Sequence, residues 1–292
     1  MGGAGRGKTM LVQEFARRVQ VADTEVIVVS GYCNAHTGLG DPYLPFREVL
    51  NLLTGDVEPK WAAGLIPSAH ARRLWEFMPR TVPALVKQAP DLIGSFVSAE
   101  PLLERATAFA PTNAPWFEQL VTMTAYDSSA GLEQKQILAQ YTALLKTVAA
   151  QRPVLLILED LHWVDASSNA LLFHLSQEVA RDRILIVGSY RPDEVALSRG
   201  EVRHPLADIM GELKRRHGDI WLDLSVLAPA EGQRFVQAYL DTEPNRLGRA
   251  FREALFRHTE GHALFTVELV REMQEREMCA RMPRAIGWKV KR

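Results

Sequence analysis

The sequence predicts an α/β protein with a mostly parallel sheet covered by helices on both faces. Three observations lead to this fold class. The chain of 292 residues starts with a glycine-rich motif, it alternates amphipathic helices with short apolar segments, and one such segment runs directly into two acids. Apolar segments of this length are typical of strands that are buried on both sides of a parallel sheet. Carboxylates at the end of such a strand project into the crevice where α/β proteins bind ligands.

The glycine-rich motif spans residues 2–9 and matches the pattern G-x-x-x-x-G-K-[ST]. Glycines let the backbone curve around a phosphate chain, so that successive N–H groups point at the anion. In this pattern the lysine reaches the β- and γ-phosphates and the threonine hydroxyl binds Mg²⁺. The following helix adds the positive end of its dipole. We therefore predict ATP and Mg²⁺ as cofactors, Thr9 as a metal ligand, and a nucleotide site formed by Gly2, Gly3, Ala4, Gly5, Arg6, Gly7, Lys8 and Thr9.

A phosphate loop normally follows a buried strand, and only Met1 precedes the loop in this sequence. We therefore expect a sheet whose first strand is missing. That strand would be central, so its loss would leave unpaired backbone groups on its neighbours, each costing about 1–3 kcal/mol.

Hydrophobic periodicity predicts the elements of the first half of the chain. Apolar residues in 9–22 recur at helical spacing and predict a helix with one buried face, and residues 25–31 predict a strand ended by glycine. Residues 36 to about 131 are predicted to be a helical insertion. Ten of the sixteen prolines fall between Pro42 and Pro115, and we expect them to prevent long helices. Short helical pieces are predicted near residues 46–53, 69–78 and 102–109.

The second half returns to a regular alternation. An amphipathic helix is predicted from Glu133 to Pro153, followed by a strand at 154–158 and a helix with Asp165 as its N-cap. Further strands are predicted at 184–190 and 220–224, and helices from Pro229 to about residue 278. We accordingly predict an ATPase core over 1–228 and a helical lid with a basic tail over 229–292.

Three charged residues follow the predicted strands. Glu159 and Asp160 end the strand at 154–158, where a nucleotide site needs one acid for Mg²⁺ and often a second for the attacking water. Glu159 occupies the position expected for magnesium and Asp160 the position expected for the water. Aspartate is nevertheless the more usual magnesium ligand, so both roles stay open for both acids. Arg191 follows the next strand and is predicted either to reach the γ-phosphate or to form a salt bridge with Asp193 or Glu194.

Composition excludes several classes of function. The 34 basic and 35 acidic residues give a net charge of −1, so no global field draws in nucleic acid or an anionic membrane. The longest apolar run is too short to span a bilayer, and the N-terminus does not resemble a signal peptide. Two distant cysteines and eight scattered histidines form no metal motif. These features predict a cytoplasmic protein.

Taken together, the motifs resemble the AAA-type ATPase modules of the STAND class, which occur in bacterial regulators beside LuxR-type DNA-binding domains or adenylate cyclase domains. The resemblance rests on the loop at 2–9, the run Pro153–Asp165, the run Gly188–Glu194 and the segment Tyr43–Phe46, and it extends to about Glu275. It implies a P-loop NTPase three-layer sandwich with a helical lid. In that class the lid carries Gly-x-Pro-Leu-Phe, and the stretch at 261–265 has alanine in place of the proline. The residues after about 280 depart from the pattern, so the sequence resembles a module truncated at both ends.

The resemblance implies a Mg-dependent regulatory ATPase that acts as a nucleotide switch in a signalling or transcriptional regulator, with Glu159, Asp160 and Arg191 as catalytic residues. Its partners would be ATP and ADP and either further copies of itself or a partner protein, with neither nucleic acid nor membrane. The missing strand favours an alternative, an impaired fragment that serves only as a nucleotide-binding or interaction scaffold. A third reading is a small-molecule kinase or a DNA-repair ATPase. The lid-like C-terminus counts against the kinase, and the near-neutral charge counts against the repair enzyme.

Overall fold

The computed structural model describes residues 1–34, 41–111, 113–125, 133–196, 204–225, 229–276, 279–281 and 288–290. The strands are β1 (Ile27–Tyr32), β2 (Val154–Glu159), β3 (Ile184–Gly188), β4 (Cys279–Arg281) and β5 (Trp288–Val290). The helices are α1 (Lys8–Ala22), α2 (Leu44–Leu53), α3 (Glu58–Ala62), α4 (Ser68–Gln88), α5 (Ala99–Thr107), α6 (Pro115–Ala125), α7 (Gln134–Gln151), α8 (Ala166–Glu178), α9 (Pro192–Ala196), α10 (Pro205–His217), α11 (Pro229–Leu240), α12 (Arg249–Thr259) and α13 (Ala263–Glu275).

The first three strands form one parallel sheet in the order β1-β2-β3. The predicted α/β fold class is thereby confirmed, and these three predicted strands lie where the apolar segments indicate. Strand β2 is central and all six of its residues are buried. Its last residue, Glu159, pairs in register with Tyr32 of β1. The carboxyl ends of β1 and β2 therefore lie side by side, which is the edge where this class of sheet binds ligands.

Both faces of the β1–β2 pair are covered. On one face Val28, Leu155 and Ile157 pack against residues Val12 and Ala16 of α1. Alternating residues point to the opposite face, and Ile27, Val29, Leu156 and Leu158 are likewise buried. The expected buried stripe of α1 is only partly buried, because two of its members, Leu11 and Phe15, remain exposed.

The glycine at position 31 allows helix and strand to approach closely. The prediction ended the strand at this glycine, whereas β1 continues through Gly31 to Tyr32. A Cβ atom on Gly31 would lie 2.0 Å from the carbonyl oxygen of Pro45 in α2. Glycine therefore belongs to the α2–β1 packing and does not end the strand.

The predicted helical insertion is helical, but the expectation that its prolines prevent long helices is wrong. Helix α4 has 21 residues and contains both Pro79 and Pro83. Each internal proline removes one helical hydrogen bond and costs about 3 kcal/mol in an exposed helix. Packing offsets that cost, since Leu74, Phe77, Val82 and other residues of α4 are buried.

The segment 220–224 is not a strand of the sheet, so this prediction is wrong. Ile220 and Leu222 are more than half exposed, and the backbone of the segment has irregular structure. It does pair with the first residue of the chain: the Met1 amino group donates to the Leu222 carbonyl, and Leu224 N–H donates to the Met1 carbonyl at 2.9 Å. A strand needs a continuous ladder with its partner, and these two hydrogen bonds do not make one.

The helices predicted after Pro229 are present as α11, α12 and α13. Val236, Leu240, Leu255 and Val270 from these three helices form a common buried cluster. Strands β4 and β5 pair antiparallel within the predicted basic tail, which the sequence did not indicate. The rest of that tail lies outside the described residues.

The chain divides into two compact units. The first comprises Met1–Leu11, Arg191–Asp193 and Ile220–Arg292, and the second comprises Val12–Tyr190 and Glu194–Asp219. The domain boundary at 228/229 stays a prediction. In the described part of the chain, no helix combines the length and apolarity needed to cross a membrane.

Candidate nucleotide site

The phosphate loop lies in the first unit and has the backbone geometry that its glycines predict. Gly5 and Gly7 have φ values of 68° and 81°, which glycine adopts without steric cost. Helix α1 begins at Lys8, directly after the loop. The Lys8 ammonium donates to the carbonyls of Gly2 at 2.7 Å and Gly3 at 2.8 Å, so the side chain folds back over the loop. Loop, lysine and helix N-terminus thus form the arrangement that binds phosphate in proteins of this type.

The start of α13 packs against the phosphate loop within the same unit. Leu264 N–H donates to the Gly5 carbonyl at 3.0 Å. The Nε2 atom of His262 lies 3.1 Å from the Ala4 carbonyl and donates to it in the tautomer that carries its hydrogen on Nε2. A Cβ atom on Gly5 would lie 2.7 Å from the Leu264 Cβ. The loop and the start of α13 therefore touch directly.

The electrostatic surroundings of His262 favour the neutral ring. Burial lowers the pKa of His262, the positive charge of Arg6 lowers it further, and the contact with the Ala4 carbonyl opposes both effects. A neutral ring needs only one hydrogen, which Nε2 uses toward the loop.

The two acids lie in the second unit, in different surroundings. Glu159 is only 2% exposed and ends the central strand. The Tyr32 hydroxyl hydrogen-bonds its carboxylate, and burial together with that carboxylate raises the pKa of Tyr32 to about 12. The phenol therefore keeps its proton and remains a donor to Glu159 throughout the physiological range.

Asp160 is one third exposed and has left-handed backbone geometry, with φ 57° and ψ 42°. Its N–H donates to the Ser189 hydroxyl at 3.2 Å, and the next N–H, of Leu161, donates to the Ser189 carbonyl at 2.8 Å. Aspartate tolerates this conformation better than most residues, and such positions cluster at functional sites. Ser189 therefore fixes the turn that carries Asp160, and the Asp160 side chain keeps access to solvent.

The remaining residues that the sequence analysis singled out are a helix cap, a residue of the first turn of α1 and an arginine before α9. Asp165 is the N-cap of α8, as predicted: its Oδ1 accepts from the N–H groups of Ser167 and Ser168, both at 2.9 Å. Thr9 is exposed in the first turn of α1. Arg191 is half-buried and precedes α9; together with the phosphate loop it belongs to the first unit.

The oxygen donors present suit magnesium. Within the described ranges no group of three or more His, Cys, Asp or Glu side chains could hold a metal ion by itself. Mg²⁺ does not require such a group, because it usually keeps several waters and binds one or two carboxylates together with substrate phosphates. The two carboxylates of Glu159 and Asp160, both in the second unit, are donors of that kind, and so, by itself, is the Thr9 hydroxyl in the first unit.

Three contacts around these motifs, two in the second unit and one in the first, were missed by sequence reasoning. Tyr32 could have been found from the parallel register, which places the residue after an apolar strand beside the residue that ends the next one. Ser189 holds the turn after β2, because its hydroxyl accepts from Asp160 N–H and its carbonyl accepts from Leu161 N–H, and no spacing indicates this. The contact between His262 and the loop joins residues 258 positions apart, so only the structure reveals it.

A comparison with protein families gives a match to the AAA ATPase domain over residues 1–187. The chain belongs to the AAA ATPase domain family. Members of this family are ATP-binding proteins that generally bind ATP with Mg²⁺, and the match includes both the phosphate loop and the acidic pair. No curated protein matches the chain.

Proposed function

We propose that this AAA ATPase domain binds ATP with Mg²⁺ and acts as a nucleotide switch in a signalling or transcriptional regulator of the STAND class. The observation that carries the proposal is the contact between the phosphate loop and α13. A change in the loop on nucleotide binding would be transmitted directly to the C-terminal helices, because Leu264 bonds to a loop carbonyl.

In this proposal the phosphate loop provides most of the affinity for the nucleotide. The N–H groups of residues 2–8 and the Lys8 ammonium hold the phosphates, and the hydroxyl of Thr9 binds the metal. Bound Mg²⁺ neutralises charge on the β- and γ-phosphates.

The acids then divide their roles by environment. Glu159 is buried and held by Tyr32, so it provides a fixed carboxylate on the metal side. Asp160 is partly exposed and lies in the turn that follows the strand, so it orients and deprotonates the attacking water. Arg191 supplies a guanidinium for the γ-phosphate.

The switch is tested by hydrogen exchange of α13 in the full chain. We expect the amides of residues 263–275 to exchange at different rates with MgATP and with MgADP, because the loop carbonyl of Gly5 moves with the γ-phosphate. The amides of α7, in the other unit, serve as the control. Equal exchange of α13 in the two nucleotide states would contradict the switch.

A second candidate is a scaffold that keeps the fold without turnover. Strand β3 is an edge strand of the sheet, and Leu185 in it is 51% exposed, whereas every residue of β2 is buried. A parallel sheet is normally covered on both faces. An edge strand that leaves an apolar side chain exposed offers unpaired backbone groups and apolar surface to another protein.

Turnover distinguishes the two candidates. The double variant Glu159→Gln/Asp160→Asn keeps the shape of both side chains and removes their charge. Steady ATP hydrolysis by the wild-type chain above this background supports the switch and rules out the scaffold. Rates that are equal in both proteins would leave the scaffold as the function.

Self-association or a partner protein is part of the proposal, since a switch needs an output. The exposed Leu185 and Phe15 provide apolar surface for such contacts. Light scattering of the chain with MgATP and with MgADP tests this: we expect a larger mass in one nucleotide state, and a constant monomer mass would exclude self-association.

A further inference from the structure

A histidine next to the acidic pair is completely buried. The side chain of His162 has 0% exposure, although it lies in the short 3₁₀ turn Leu161–Trp163 directly after Asp160. Burying a polar ring is costly unless its nitrogens face partners. Apolar packing alone therefore does not account for a histidine here.

The ring lies between two carboxylates. Its Nδ1 is 3.9 Å from Oδ1 of Asp160, and its Nε2 is 3.5 Å from Oε2 of Glu194. Both carboxylates are about one third exposed, so each contacts the buried ring and also reaches solvent. These distances exceed those of hydrogen bonds, and contacts of this kind often tighten when substrate binds.

The backbone and ring of His162 are held in place from two sides. The Nε2 atom of His204 lies 2.9 Å from the His162 carbonyl, while Nδ1 of the same side chain accepts from Leu206 N–H at the start of α10. The Trp163 ring lies 4.5 Å from the His162 ring, centroid to centroid. A ring that is held in one position can orient the side chain beside it.

We propose that His162 is a positioning residue that sets the orientation of the Asp160 carboxylate, and that Glu194 orients His162 in turn. The proposal rests on the function proposed above for Asp160. Ser189 fixes the backbone of Asp160, which leaves the side-chain torsions to be set, and Nδ1 of His162 faces that carboxylate. Since a displacement of about 1 Å at a reacting group can cost about 100-fold in rate, an orienting contact has a measurable effect.

Two variants of His162 test the contacts of its two ring nitrogens one at a time. In His162→Asn the amide nitrogen takes a position near Nδ1, toward Asp160; in His162→Gln it takes one near Nε2, toward Glu194. We expect His162→Gln to lower kcat for ATP hydrolysis by about 10- to 100-fold with KM for ATP within about 2-fold, and His162→Asn to keep more of kcat. A purely structural role would lower the fraction of folded protein and affect both variants alike.

The matched control is His217→Asn, which changes an exposed histidine at the end of α10 and should leave kcat unchanged. Should both His162 variants fail to fold, Glu194→Gln provides the test, because it changes only one atom of a partly exposed side chain. We expect it to lower kcat by a few-fold, since the neutral amide still contacts the ring but orients it less strongly.

A second readout needs no nucleotide. In the full chain labelled with ¹⁵N-histidine, the signal lost in His162→Asn identifies the His162 ring. We expect Glu194→Gln and Asp160→Asn each to shift that signal, and the exposed neighbour Asp193→Asn to leave it in place. An unshifted signal in both variants would overturn the proposal.

The kinetic outcomes distinguish this proposal from the function on which it rests. A wild-type chain that hydrolyses ATP while both folded His162 variants keep its kcat would overturn the role of His162 alone. A wild-type chain that binds MgATP and does not hydrolyse it would overturn the turnover in the proposed function, and the role of His162 with it.

Discussion

At the scale of single residues, Gly5 links the phosphate loop to the C-terminal helices. Its φ of 68° is strained for residues with a Cβ atom, and its carbonyl accepts from Leu264 N–H. A Cβ atom at this position would be 2.7 Å from the Leu264 Cβ and 2.8 Å from the His262 ring. The neighbouring Gly3 has open space around it, with nothing within 4 Å of a Cβ.

We therefore predict that Gly5→Ala separates α13 from the loop and lowers the free energy of unfolding by about 1–3 kcal/mol, from left-handed strain and the clash together. Gly3→Ala should change it by less than about 0.5 kcal/mol. Urea unfolding of the two variants checks this, with hydrogen exchange of 263–275 as a local measure. Equal stability of both variants would contradict the described loop–lid contact.

Alkaline pH tests the burial of Cys33, which follows β1. Burial raises the pKa of this thiol from 9.0 to about 12, with smaller contributions from Asp165 and Asp160. Between those pH values the unfolded chain loses the thiol proton and the folded chain keeps it, so the free energy of unfolding falls as pH rises above 9, by up to about 1.4 kcal/mol per pH unit. Cys33→Ala should remove this part of the slope between pH 9 and 10 in urea unfolding. An unchanged slope would mean that the thiol is not buried.

At the scale of helices and strands, the sequence predicted an element correctly where a single physical effect determines that element. Strand β2 is buried on both faces, so its residues must be apolar, and its run of Val154–Leu158 is unambiguous. Asp165 was identifiable as a cap because its side chain serves a local need of α8. Helix α4 was not identifiable at its full length, because packing against distant residues offsets two prolines. The segment 220–224 has strand-like composition, but a strand also needs a partner.

The cap of α8 gives a prediction for this scale. Asp165→Ala leaves two N–H groups of the first turn without their acceptor and should cost about 1 kcal/mol in the free energy of unfolding. Glu133→Ala is the matched control, because Glu133 precedes α7 at the equivalent position and its side chain makes no capping hydrogen bond. Chemical denaturation of both variants measures the difference, and a cost that is equal for the two would show that the Asp165 cap does not stabilise α8.

At the scale of the whole molecule, the phosphate loop groups with the C-terminal helices and the acidic pair groups with the sheet. The sequence indicated each motif, since each is a local pattern. It did not indicate this grouping, because the contacts of Ala4 and Gly5 with His262 and Leu264 join opposite ends of the chain.

The central claim is that this AAA ATPase domain binds MgATP through its phosphate loop, and one calorimetric titration tests it most directly. MgATP is titrated into the full-length wild-type chain, into Lys8→Ala, and into Lys135→Ala, which removes an exposed lysine of α7. We expect measurable binding to the wild type and the control, and a loss of at least about 10-fold in affinity for Lys8→Ala, because the ammonium that reaches the β- and γ-phosphates is gone. Equal affinity of all three proteins for MgATP would contradict the account.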